Sequence, residues 1–186
     1  MEDAFRLVKT LRSKKLQIPI VLFSYLNPIL HHGIENVAKA LQSSGFEGLV
    51  VPDLPPDEAR EVERVFRRNR LDLIYLVAPT TESKRRGMLM QKSHGFIYYV
   101  SLKGVTGARK KMASDLSKLV IDLKKKSKKP VLVGFGVSSP KQVKEICRFA
   151  DGVIVGSAII DSLTKNNFSV SKTARFVRSL VWAAKS

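Results

Sequence analysis

Two short glycine-bearing segments carry the clearest chemistry in the 186-residue sequence. Gly134-Phe135-Gly136-Val137-Ser138 follows the apolar run Val131–Val133, and Gly156-Ser157-Ala158-Ile159 follows Val153-Ile154-Val155. Glycines flanking an aromatic let the backbone bend and bring bare amides close to a ligand. A glycine and a serine opening a helix aim amides, a hydroxyl and the positive end of the helix dipole at an anion. Alone, either segment reads as a tight turn after a strand. Together, after consecutive strands, they predict a phosphate grip. A third segment, Gly104-Val105-Thr106-Gly107, precedes the basic Arg109-Lys110-Lys111 and reads as a small-residue lid over the ligand or as a long surface loop.

Acid–base and metal chemistry find less support. Among the predicted C-terminal strand ends, Asp53 is the only carboxylate candidate, while Asp151 falls at the opposite end of its strand. His31, His32 and His94 are expected in loops, with no carboxylate or cysteine spaced for a triad or a metal. The single cysteine, Cys147, allows no internal disulfide and is expected to be a buried structural thiol in a reducing compartment.

The elements that must position these residues alternate. Apolar, β-branched runs occupy Ile18–Tyr25, Gly48–Pro52, Leu71–Val77, Gly95–Ser101, Val131–Gly134 and Gly152–Val155. They are apolar nearly end to end, as parallel strands covered on both faces should be. Amphipathic stretches at Ile34–Ser43, Pro56–Arg68, Glu82–Gln91, Ala113–Lys125 and Pro140–Phe149 predict the intervening helices. Pro56 suits a first helical turn with Asp57 and Glu58 beside it, and Ser139-Pro140 reads as a cap and first-turn proline. Such alternation means an α/β protein with a parallel sheet, either doubly wound or a barrel. No G-x-G-x-x-G follows the first strand, and the glycines gather after the last strands, where a barrel keeps its phosphate site.

Composition narrows the partners. Lysine and arginine number 33 against 16 acids, a net charge of +17. The basic residues are dispersed, and the densest run, Lys124 to Lys129, closes a helix where cations suit the dipole. No aromatics are interleaved as a base-stacking platform, so nucleic acid is not an expected partner. No apolar window is long enough for a membrane span, and the opening Met-Glu-Asp-Ala-Phe-Arg is not a signal peptide.

Five stretches resemble one family in co-linear order. Tyr98-Tyr99-Val100-Ser101 running into Gly104-Val105-Thr106-Gly107-Ala108-Arg109 resembles the sixth strand and mobile loop of the tryptophan synthase α subunit. Val133 to Ser138, with Asp151 to Ala158, is similar to that family's phosphate-binding end. Tyr25-Leu26-Asn27-Pro28-Ile29, Val51-Pro52-Asp53-Leu54-Pro55 and Ala78-Pro79-Thr80-Thr81 resemble the ends of its third, fourth and fifth strands. The resemblance implies an α/β fold, an incomplete (β/α)8 TIM barrel with about six of eight strand–helix units, in which residues 1–186 form one partial domain. Such a barrel leaves two sheet edges open, so association or dependence on a segment supplied in trans is expected.

The same resemblance implies tryptophan biosynthesis by retro-aldol cleavage of indole-3-glycerol phosphate to indole and glyceraldehyde 3-phosphate. No metal or organic cofactor takes part; pyridoxal phosphate belongs to the partner β subunit, in an α2β2 assembly. Phosphate would meet Gly107, Gly136, Gly156 and Ser157, with Gly134 and Phe135 shaping the loop. The indole ring would meet Phe23, Tyr25 and Tyr98, with Val50 and Leu76 nearby. Thr106 would help position a catalytic aspartate. The chemistry needs two carboxylates, one for proton transfer and one facing the indole nitrogen. The family carries both at and after its second strand, so this chain is expected to hold the grip without the acids. The alternative reading is a non-catalytic relative that binds a phosphorylated ligand or the β subunit; a different phosphate-binding barrel is the third. The expected compartment is the cytoplasm, with a plastid as the alternative.

Overall fold

A computed structural model describes residues 1–100, 109–134 and 136–186, residues 109–115 by their backbone alone. Gly104, Thr106, Gly107 and Phe135 therefore lie outside the described residues. The chain divides into two compact units: Met1–Tyr75 with Gly87–Gly95, and Leu76–Arg86 with Phe96–Ser186.

The first unit begins with α1 (Glu2–Ser13), β1 (Val21–Phe23), α2 (Leu26–His32), α3 (Ile34–Ser44) and β2 (Gly48–Val50). It continues through α4 (Arg60–Arg68) and β3 (Asp72–Ile74). The strands pair in parallel in the order β1-β2-β3. Val37, Ala38 and Leu41 of α3 are buried, as are Val62, Val65 and Phe66 of α4 and all of β2. Arg12 ties α1 to the turn before β2: its guanidinium donates to the Gly45 carbonyl and to both Glu47 carboxylate oxygens. Phe5 meets Phe46 edge to face, with centroids 6.2 Å apart.

The second unit opens with β4 (Leu76–Val77), which is followed by α5 (Ser83–Lys92), a helix shared between the units. Then come β5 (Ile97–Val100), α6 (Arg109–Lys126), β6 (Val131–Gly134), α7 (Pro140–Cys147), β7 (Gly152–Ile154), α8 (Ser157–Lys165) and α9 (Val170–Lys185). Its sheet is parallel in the order β4-β5-β6-β7. Counting β3 and β4 as one interrupted strand, the described residues fill six strand positions of a (β/α)8 barrel.

Three differences from the sequence expectations have local causes. The run Leu71–Val77 is broken at Tyr75, because the Tyr75 amide donates to Ser93 Oγ at 3.1 Å instead of to a strand, and His94 N–H takes the Leu73 carbonyl. Helix α4 starts at Arg60 and not at Pro56; the Pro56 carbonyl accepts from Lys92 Nζ at 2.7 Å, which diverts it from a helical amide. His31 and His32, expected in a loop, form the last turn of α2. Ile29 is fully buried there, and the His32 ring bonds the Pro28 carbonyl.

Candidate functional site

In the second unit the two glycine segments follow adjacent strands at matching register. Gly134 pairs with Ile154, so the Gly136 and Gly156 positions follow the ends of adjacent strands by two residues each. Gly136 is exposed and adopts φ +71°, a conformation that favours glycine. Gly156 is exposed, with open space where a Cβ would stand, and Ser157 begins α8. Neither α7 nor α8 has an acid in its first turn to offset the positive end of its dipole. Helix starts of this kind favour an anion nearby.

The turn between β6 and α7 is held by Gln142. Its Oε1 accepts from the amides of Ser138 and Ser139 at 2.8 and 3.1 Å, and from both serine hydroxyls. Ser139 Oγ in turn accepts from the Gln142 amide, completing a capping box. Sequence reasoning found the Ser139-Pro140 cap and missed the glutamine, although S-x-x-Q is itself the signature.

Tyr98 stands on β5 between Leu76 and Leu132, half-buried, with its phenol pushed above its ordinary value by burial. Its ring extends diagonally over Gly134, which pairs two positions further along. The neighbouring Tyr99 is 1% exposed; burial pushes its phenol up to about 12, against the lowering effect of the Arg86 charge.

In the first unit, Phe23 ends β1 at 54% exposure and Tyr25 precedes α2 at 62%. Both side chains are therefore exposed among the described residues. Val50 shares the register row of Phe23 and is buried. Asp53, the acid singled out by sequence, is engaged: its Oδ1 accepts from the Leu26 amide at 2.9 Å, capping α2. Asp151 lies at the N-terminal end of β7. Burial would raise its carboxyl, but Lys124 at 2.8 Å and the Val131 amide hold it below the usual range. Among the described residues no group of three His, Cys, Asp or Glu could hold a metal ion. Cys147 is free and half-buried, its thiol raised by burial.

A family profile described as tryptophan synthase alpha chain matches residues 1–184. The chain belongs to the tryptophan synthase alpha chain family. It is 39% identical over 183 residues to the tryptophan synthase alpha chain of Chloroflexus aurantiacus, covering 97% of this chain and 69% of that one. It is 41% identical over 173 residues to that of Dehalococcoides mccartyi, covering 93% and 68%. The crystal structure of the Legionella pneumophila alpha chain superimposes with a TM-score of 0.88 at 33% identity, over 99% of this chain and 69% of that one. The incomplete (β/α)8 fold expected from the family wording is thus observed, and the alpha-chain relatives extend beyond the part matched here. No helix of the described residues is long and apolar enough to cross a membrane.

Proposed function

We propose that this chain is the ligand-gripping part of a tryptophan synthase α subunit, with residues 1–186 acting as one partial barrel domain. It would bind indole-3-glycerol phosphate for the retro-aldol step that releases indole. Support comes from one observation above the others: Gly136 and Gly156–Ser157 stand exposed after adjacent parallel strands, beside two helix starts that carry no first-turn acid. On that unit Tyr98 adds an aromatic wall; on the other, Phe23 and Tyr25 offer exposed rings to an indole. Gly107, Phe135 and Thr106 keep the roles the resemblance implies for them.

The bond-breaking step moves protons: the side-chain hydroxyl loses one and the indole ring carbon gains one, while positive charge develops on the ring nitrogen. Acid–base groups suffice for that, and no cofactor is needed in this half-reaction. Asp53 is occupied as a helix cap and is a poor replacement for the family's paired acids. Residues 1–186 alone are therefore expected to bind the ligand without cleaving it. The β subunit, with its own pyridoxal phosphate, is the proposed protein partner, and the cytoplasm the proposed location.

The test is calorimetric titration with indole-3-glycerol phosphate and, separately, inorganic phosphate. Saturable binding of both, lost in Gly156→Asp, supports the reading; absence of binding to either overturns it.

A further inference from the structure

We infer that a cavity at the start of β3, in the first unit, is a binding site for a small zwitterion, an aliphatic α-amino acid. The inference is independent of the proposed lyase chemistry. Asp72 opens β3, so the cavity lies at the N-terminal end of the strand, opposite the end where a barrel keeps its active site. Arg67, Arg70, Asp72 and His94 line about 280 Å³ there, together with Leu71 and Leu73. That volume lies at the small end of the range for ligand cavities. All of these residues belong to one compact unit.

The cavity holds opposite charges that do not neutralise each other. Glu63, also in its wall, is engaged by the Tyr75 hydroxyl at 2.6 Å and by Lys92 Nζ at 3.0 Å. Arg67, Arg70 and Asp72 make no ion pair or side-chain hydrogen bond among the described residues. Two free guanidinium groups suit a carboxylate, which an arginine fork binds through paired N–H donors. The free Asp72 carboxylate suits an ammonium group. A phosphate would meet the same arginines but be repelled by Asp72. A zwitterion therefore complements this lining better than an anion does. Leu71 and Leu73 supply the apolar part of the wall.

The backbone is set to keep both signs of charge in place. Helix α4 ends in a paired turn: the Leu71 amide donates to the Phe66 carbonyl and the Arg70 amide to the Arg67 carbonyl, both at 3.0 Å. Arg70 takes the left-handed position of that turn, at φ +57°, where glycine is the usual residue. An arginine in that position brings a guanidinium to the cavity against the backbone's preference. Gly95 does the reverse for Asp72. At φ +71°, a Cβ on Gly95 would stand 2.7 Å from Asp72 Oδ2, so the missing side chain leaves the carboxylate its room. The His94 amide donates to the Leu73 carbonyl at 3.0 Å and ties this segment to β3.

The probe is L-leucine, titrated into the isotope-labelled 186-residue chain while backbone amide resonances are followed. Saturable shifts at Leu71, Leu73, His94 and Gly95 are expected, with a Kd on the order of 1 mM. Isocaproate, which lacks the ammonium, and isoamylamine, which lacks the carboxylate, should each bind about tenfold more weakly or worse. Arg70→Gly puts the usual residue in the left-handed turn, so the fold is retained, and should weaken L-leucine binding by about fivefold or more. Asp72→Asn should weaken L-leucine by about tenfold while isocaproate binds as before or tighter. A merely structural role would not produce that split. Absence of saturable shifts at these amides overturns the inference, as do equal binding of isocaproate and unchanged binding in Arg70→Gly. Tighter binding of inorganic phosphate than of L-leucine overturns it in favour of a simple anion site. Loss of indole-3-glycerol phosphate binding would not affect any of these readouts.

Discussion

Gly134 lies so close beneath the ring of Tyr98 that a Cβ there would stand 2.5 Å from Cε2 and 2.7 Å from the phenolic oxygen. The absence of a side chain on β6 is what lets the ring lie across the strand end. Gly134→Ala should displace the ring and cost about 1–3 kcal/mol in urea unfolding. Affinity for indole-3-glycerol phosphate should fall more than affinity for inorganic phosphate, because the ring and not the amides has moved. Equal losses for both ligands would contradict this division of labour.

Gln142 predicts a separable pair of effects. Gln142→Leu removes the acceptor shared by Ser138 and Ser139, and should lower stability by about 1–3 kcal/mol while weakening phosphate binding. Gln142→Glu keeps an acceptor at the same place and should hold most of the stability. Its negative charge beside the site should still weaken phosphate binding. Chemical unfolding and calorimetry on the two variants check both halves.

Asp151 sets a pH dependence at acid. Its carboxyl titrates below the ordinary value in the folded chain, through Lys124 and the Val131 amide acting against burial. A depressed folded value contributes stability above the unfolded pKa of about 3.9, and that contribution is lost as pH falls through the folded value. The stability gap between the native chain and Asp151→Asn should thus be level from neutral pH to about 5 and shrink below about 4. Unfolding at a series of pH values reads this directly; a gap that stays constant to the lowest pH contradicts it.

How much of this was legible in the sequence depends on how local each cause is. The β-branched runs at Val131–Gly134 and Gly152–Val155 became β6 and β7 within a residue, because a short β-branched apolar run needs no distant information to be read as a strand. The Ser139-Pro140 cap was readable for the same reason. The break at Tyr75 was not, since it depends on Ser93, 18 residues away. Asp53 looked available for chemistry because its partner, the Leu26 amide, lies 27 residues earlier. The late start of α4 likewise turns on Lys92, 36 residues from Pro56. In each case a side chain met a backbone group that no local pattern announces. The family wording was legible because each glycine segment is a local pattern of a few residues after a strand. The residues implied at Gly107, Phe135 and Thr106 rest on that wording alone.

The central claim, a grip without its acids, is tested most directly by indole release from indole-3-glycerol phosphate. The purified 186-residue chain is assayed alone and with a β subunit, with binding of the same ligand measured in parallel. The account predicts saturable binding and no indole above the uncatalysed rate in either case. Sustained indole release by the chain, abolished by Asp53→Asn, would contradict it and make that helix-capping carboxylate a catalytic residue.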